Sequence, residues 1–252
     1  MVTAIVQARM KSSRLPGKVL KDIQGKPMLW HVVKRLKKAR LVGRIIIATS
    51  NREIDTPVLK LGRDLRLDCY AGSEQDVLDR YYRAATNFGA DIIVRITADC
   101  VLIDPHIVDD VIRRYMQGDC DYVANTLKWT YPDGVDVEVF SYAALEKAWR
   151  EARWASEREH VTPYIRKNPD KFRLVNIESG TDLSRFRWSV DREEDLEFVR
   201  QVFRHLYQEG QIFYMEDVLK LIEKYPQLAD INRDIVANEG YQKSLREDRI
   251  VK

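Results

Sequence analysis

Short apolar runs alternate with amphipathic stretches along the first half of the chain. Thr3-Ala4-Ile5-Val6 predicts an opening strand. Residues 28–39 follow with Met28, Leu29, Val32, Val33 and Leu36 on one side of a helix. Arg44-Ile45-Ile46-Ile47-Ala48-Thr49 is an almost continuous apolar run, the pattern of a strand buried on both faces. Thr56-Pro57 predicts an N-cap with proline at the first helical position, and Leu67-Asp68-Cys69-Tyr70 a short strand. Ser73-Glu74-Gln75-Asp76 fits a capping box opening a helix over 77–88. The next strand is expected over 91–96, and Asp104-Pro105 caps a helix over 106–117. Alternating units with apolar strands predict an α/β fold, a mainly parallel sheet with helices on both faces. In such sheets ligands bind beyond the carboxyl ends of the strands.

The second half is less regular. Strands are expected over 122–125, 135–140, 173–177 and 186–190, and helices over 142–151, 156–167, 193–207 and 215–225. No Pro/Gly/Ser-rich linker and no internal repeat divides the chain, so residues 1–252 read as one domain. Residues 122–190 and 208–252 are elaborations of it, and the last fifteen residues, highly charged, are expected to be loosely ordered.

Charge changes the picture locally rather than globally. The 252 residues carry 42 Lys and Arg against 39 Asp and Glu, a net +3, too balanced for a dedicated nucleic-acid binder. Three cysteines, Cys69, Cys100 and Cys120, lack the paired spacing of a disulfide framework or zinc site. No apolar run approaches the ~20 residues of a membrane span, and no secretory leader opens the chain. These features predict a reduced, cytoplasmic protein without a membrane partner. The positive charge gathers instead just after the first strand, in Gln7-Ala8-Arg9-Met10-Lys11-Ser12-Ser13-Arg14-Leu15-Pro16-Gly17-Lys18. Guanidinium forks, a mobile ammonium and two hydroxyls in one loop suit a string of phosphates. Basic surface loops are also commonly just solvated. The loop is not a P-loop, and no Gly-x-Gly-x-x-Gly follows the first strand.

The order of residues in this loop, continuing into Ile23-Gln24-Gly25-Lys26-Pro27-Met28-Leu29, resembles the nucleotide-binding signature of the sugar cytidylyltransferases. That group contains the CMP-Kdo and CMP-sialic acid synthetases, and the likeness is nearest to the SpsF-like spore coat polysaccharide proteins. It extends over most of residues 1–205. The resemblance implies a Rossmann-like, GT-A-like nucleotidyltransferase that moves CMP from CTP to an acceptor hydroxyl, with pyrophosphate leaving. It implies catalytic roles for Arg9, Arg14 and Lys18. Nucleotide contacts would come from Ala8, Arg9, Ser12, Ser13, Arg14, Lys18, Gly72, Ser73, Asp76 and Thr97. Asp99 and Asp191 would hold Mg²⁺, a hard cation that takes one or two carboxylates plus phosphates and waters. Asp133, Asp136, Glu157 and His160 would meet a sugar-like acceptor, residues 122–190 would also serve dimerisation, and the enzyme would be a homodimer. Trp129, Trp149 and Trp154 are expected as exposed aromatics, and Arg158, Arg185 and Arg187 as cations available to an acceptor carboxylate.

Several of these segments also have plainer readings. Asp99 could be a turn acid, and Asp191 an N-cap with Glu194 completing a capping box. Residues 73–80 could be only a capped helix start, 132–138 a turn into an acidic strand, and 157–164 an ordinary helix. The metal turn of the family usually reads Gly-Asp-x-Pro, whereas Ala98 and Val101 stand here. That departure leaves room for a CTP-binding member without turnover. A third possibility is a glycosyltransferase using Asp119-Cys120-Asp121, although Asp in a loop before a strand is common.

Overall fold

The first strand, β1 (Val2–Gln7), is an interior strand of a seven-stranded sheet. The computed structural model describes residues 1–236 and 238–251. β1 is flanked in parallel by β4 (Arg44–Ser50) and β6 (Ile92–Thr97), and β5 (Asp68–Gly72) extends the sheet beyond β4. Beyond β6 come β8 (Glu138–Ser141), antiparallel to it, then β7 (Tyr122–Ala124) and β9 (Leu174–Asn176). Two short strands, β2 (Asp22–Ile23) and β3 (Lys26–Pro27), make a separate hairpin. The expected fold class is therefore observed.

The continuous apolar strands are explained by burial on both faces. Ala4 and Val6 of β1 join Ile45, Ile47, Val94 and Ile96 in one core. Ile5 points the other way, with Ile46, Ala48 and Ile93, into a second core. Helix α1 (Met28–Leu36) covers the first face, and its Met28, Leu29, Val32, Val33 and Leu36 are fully buried. Each such side chain contributes about 1.5–3 kcal/mol of burial. On the second face, α3 (Val77–Phe88) packs Leu78, Tyr81, Ala84 and Ala85 against the strands. The other helices of the first half are α2 (Thr56–Asp64) and α4 (Pro105–Tyr115), the latter capped as expected by Asp104, which accepts from the His106 amide at 2.8 Å. α5 (Tyr142–Glu151), α6 (Ala155–His160), α7 (Pro163–Lys167), α8 (Glu193–Leu206), α9 (Met215–Lys224) and α10 (Glu239–Arg246) complete the chain.

Several local expectations are corrected. Helix α2 starts at Thr56 itself, with Asp55 ahead of it. The cap of α3 is Asp76, which accepts from the Asp79 amide at 2.8 Å, while Ser73 Oγ closes the preceding turn by accepting from the Asp76 amide at 3.0 Å. The expected helix over 156–167 is two helices. Pro163 cannot continue a helical ladder, and Val161 takes a left-handed φ of 73° at the break. Only residues from Glu138 onward form the strand expected over 135–140, and 186–190 make a single bridge, Asp133 to Arg187, instead of a strand. Asp191 does not cap α8. Asp195 does that work, accepting from the amides of Asp191 at 2.9 Å and Arg192 at 3.0 Å. The C-terminal residues are not loose. Ser156 donates to Asp248 from its amide and hydroxyl, the Ala155 amide to Arg249 O, and the Val251 amide to Arg153 O. Lys252 lies outside the described residues.

Gly134 joins the two irregular loops. Its φ is +112°, and a Cβ there would lie 2.4 Å from the Ser189 amide nitrogen and 2.5 Å from the Trp188 carbonyl carbon. Neither backbone atom can yield cheaply. Gly134→Ala should destabilise the protein by at least about 2 kcal/mol, read as a lowered midpoint in urea unfolding. An unchanged midpoint would mean that the two loops are not held this closely.

Candidate active site

The basic loop is folded back on itself. The Gly17 amide donates to Met10 O at 2.8 Å, and Gly17 takes a left-handed φ of 69°. Asp55, buried, accepts from the Met10 amide at 2.5 Å, and Ser12 Oγ accepts from the Leu15 amide at 3.2 Å. Lys18 begins a short 3-10 turn directly after, and its side chain runs inward. Its ammonium donates to Asp99 Oδ2 at 2.9 Å, Asp191 Oδ1 at 2.8 Å and Val190 O at 2.7 Å. Arg14 reaches the same Asp191 oxygen at 2.7 Å. Asp99 and Asp191, ninety-two positions apart, thus meet at one cation.

Each acid is positioned by its element. Asp99 follows β6, whose last residue, Thr97, donates its hydroxyl to Asp99 Oδ1. The Val190 amide donates to Asp99 O at 3.1 Å, which ties the two acid-bearing loops together. Behind Asp191 lies a buried frame. Arg187 donates to Asp195 at 2.9 and 3.1 Å, to Asp133 at 3.0 Å and to Asp191 at 3.3 Å. Asn232 Nδ2 donates to Asp195 Oδ1 at 2.9 Å.

The charges follow from these contacts. Burial alone would lower the Lys18 pKa, but Asp99 and Asp191 outweigh it and raise it. Burial would likewise raise Asp191, yet Lys18 and Arg14 hold its carboxyl far below the usual range. Asp133 behaves oppositely. Burial pushes it up to about 6, with Arg187 and Ser189 offsetting only part. Asp136 is driven well upward by burial and then by Asp133. Further along, Glu138 accepts from Arg95, Tyr122 and Thr162. Burial opposes its ionisation, but Arg95 and Arg166 bring it down to about 2. Burial lowers His160 to about 4, so its ring is neutral at neutral pH.

Lys18, Asp191, Asp133, Asp136, Glu138 and His160 all line one cleft of about 700 Å³ at the carboxyl ends of the parallel strands. It gathers Ala8, Arg9, Ser12, Ser13, Arg14, Lys18 and Thr97 with Asp99 and Asp191, and Asp133, Asp136 and His160 lie on the β8 side. Ser73 and Asp76 line an adjoining hollow of about 760 Å³ that shares Arg9 and Ser13 with the cleft. Gly72 lines neither and packs beneath Tyr70 and Arg80. Glu157 is outside both as well. It is buried, and its Oε2 accepts from the amides of Arg153 and Trp154 at the start of α6. Ala98 lines the cleft, whereas Val101 is buried in the core below it.

Other expectations are redistributed. Asp119 pairs with Arg114 at 2.6 Å and Asp121 with Arg173 at 3.1 Å, both ahead of β7 at the opposite end of the sheet. That position removes them from the cleft and from the glycosyltransferase alternative there. Of the three tryptophans only Trp154 is exposed, while Trp149 stacks on Tyr82 at 4.1 Å. Arg158 is occupied by Asp76 at 2.6 Å and Arg187 by its three acids, and Arg185 stacks on Phe186. Sequence reasoning missed Arg95, Glu138 and Arg166. A charged pair set within two apolar strands, Arg95 in β6 and Glu138 in β8, was the available signal.

Among the described residues no group of three or more His, Cys, Asp or Glu side chains gathers as a metal cage. The donor set nevertheless fits Mg²⁺. Two hard carboxylates face one point already held by a cation, and Mg²⁺ characteristically completes its shell with substrate phosphates and water.

A parallel sheet that delivers a basic β1 loop against two acids at its carboxyl edge is the framework of a nucleotidyltransferase. Residues 3–239 match the cytidylyltransferase family, and the chain belongs to it as a CTP-dependent enzyme. The spore coat polysaccharide biosynthesis protein SpsF of Bacillus subtilis is 28% identical over 232 residues, 89% of this chain and 95% of that protein. A cytidylyltransferase structure from Leptospira borgpetersenii superposes with a TM-score of 0.86 at 30% identity, covering 94% of this chain and 99% of that one. A CMP:2-keto-3-deoxy-manno-octonic acid synthetase solved with CTP shares the fold, with a TM-score of 0.62 at 19% identity over 81% and 98% of the two chains. No helix among the described residues is long and apolar enough to cross a membrane.

The raised pKa of Asp133 has a direct consequence for stability. The folded value of about 6 lies above the unfolded carboxyl value, so ionisation costs stability. The contribution is whole below about pH 4 and is lost as pH rises through about 6. Asp133→Asn, which imitates the neutral acid, should flatten the fall in melting temperature between pH 4 and 7. An identical pH profile in the variant would show that Asp133 is not a strained carboxylate.

Proposed function

We propose that the enzyme transfers CMP from CTP to a hydroxyl of a sugar or nonulosonic-acid-like acceptor for surface polysaccharide synthesis, releasing pyrophosphate. The observation that carries this reading is the Lys18 ammonium, which joins Asp99, Asp191 and the basic loop at one point in the cleft. In this reading the acceptor oxygen bonds to the α-phosphorus, the bond to pyrophosphate breaks, and the hydroxyl proton is released. In-line positioning and neutralisation of phosphate charge supply most of such catalysis. Arg9 steadies the α-phosphate. Arg14 and Lys18 exchange their carboxylate partners for the departing β,γ-phosphates, and Ser12 and Ser13 donate hydrogen bonds to phosphate oxygens. Asp99 and Asp191 would hold Mg²⁺, which would supply a Lewis acid and a template for the triphosphate.

Base and ribose go to the hollow beside Ser73 and Asp76, which opens from Arg9 and Ser13. The acceptor goes to the β8 side, near Asp133, Asp136 and His160. Glu157 is not retained there, because it is buried at the start of α6 and lines neither the cleft nor the hollow. A homodimer is in keeping with the exposed Trp154, Ile250 and Val251, and a cytoplasmic setting with three free thiols.

The test is pyrophosphate release on mixing the protein, CTP, Mg²⁺ and a panel of sugar acids. Arg14→Ala should lower the rate by roughly 10²–10³, the cost of losing one charge-stabilising donor. Unchanged turnover in that variant would remove the phosphate assignment.

A further inference from the structure

We propose that the C-terminal helix α10 is the acceptor wall of the active site, with Tyr241 and Lys243 as residues that select the acceptor. The assignment rests on the CMP-transfer reading above and adds a part of the chain to it. In-line transfer puts the attacking oxygen and the departing pyrophosphate on opposite sides of the α-phosphorus. With the basic loop leaving β1, the acceptor enters from the side of β8, α6 and α7. α10 crosses to that side from Arg14, which lies beside Gly240, and brings Tyr241 and Ser244 against His160. Gly240, Tyr241, Lys243 and Ser244 line the same cleft as Asp99 and Asp191.

The helix is pinned at both ends. Arg192, next to Asp191, grips Glu239 with bonds of 2.8 and 2.9 Å. Ser244 Oγ donates to Glu159 at 2.8 Å and lies 3.0 Å from His160 Nε2. Asp248 then anchors the tail on Ser156. So one end of α10 is fixed to the loop that presents Asp191, and the other to the helix that presents His160.

Between these anchors Tyr241 sets its ring edge-on to His160, with centroids 4.9 Å apart, and Arg166 lies 5.6 Å from the ring centre. The Arg166 Nε is buried and has no hydrogen-bond partner among the described residues. Lys243 adds an exposed ammonium on the same wall. A neutral imidazole, an aromatic ring and two cations suit a polyhydroxylated ring bearing an acidic group. The ring packs on apolar faces and the acid meets guanidinium or ammonium.

The experiment compares Tyr241→Ala, Tyr241→Phe, Lys243→Ala and, as a control on the exposed side, Gln242→Ala. 3-Deoxy-manno-octulosonate and N-acetylneuraminate are the acceptor probes, pyrophosphate release is the readout, and CTP affinity is measured separately by calorimetry. Tyr241→Ala and Lys243→Ala should each raise the acceptor KM roughly tenfold, the scale of one lost contact. KM and Kd for CTP should stay within about twofold, Tyr241→Phe should recover most of the loss, and Gln242→Ala should match the wild type. Equal rises in both KM values, or none in either, would overturn the wall while leaving CMP transfer standing. Absence of pyrophosphate release by the wild type with CTP bound and every acceptor supplied would overturn the transfer reading and the wall with it.

Discussion

An ammonium that is nine-tenths buried has to be surrounded by oxygen, and Lys18 imposes that demand on three separate parts of the chain. Burial of an unpaired charge costs several kcal/mol. The basic loop, the end of β6 and the loop ahead of α8 must therefore arrive together. β1 and β6 are hydrogen-bonded neighbours, so the sheet delivers the first two automatically. The third needs its own frame, which Arg187, Asp195 and Asn232 provide. The dependence is mutual, because Asp99 and Asp191 would repel each other without the cation between them.

That frame also separates the chemistry of the cleft into two halves. On the β1 side, cations and hydroxyls gather. On the β8 side stand two carboxyls whose burial favours the proton, a neutral histidine, and the Glu138–Arg95 pair that closes the floor. In the proposed reaction a triphosphate would occupy the first half, and an acceptor hydroxyl would meet groups able to exchange hydrogen bonds in the second. The proposed reaction would thus take its polarity from the order of strands in the sheet.

Most of the parallel half was legible in the chain. Runs such as Arg44 to Thr49 leave little choice but a strand buried on both faces, and the basic loop is contiguous, so its spacing can be read directly. Asp99 and Asp191 were found by resemblance, and the structure brings them together. Legibility failed where a residue's partner is distant in sequence. Asp191 looks like a helix cap because Glu194 sits three positions on, but Lys18 and Arg14 compete for its carboxylate and Asp195 takes over the cap. Glu157 looks functional beside His160, yet two backbone amides need it. The charged C-terminus carries few apolar positions, so its docking through Glu239, Ser244 and Asp248 leaves no periodic signal.

Calorimetric titration of CTP, with and without Mg²⁺, into the wild type, Asp99→Asn, Asp191→Asn and the double variant tests the convergence most directly. If both carboxylates serve one metal–triphosphate, each single variant loses the gain in affinity that Mg²⁺ confers, and the double variant loses little more. Additive losses, or a gain that survives both substitutions, would contradict the account.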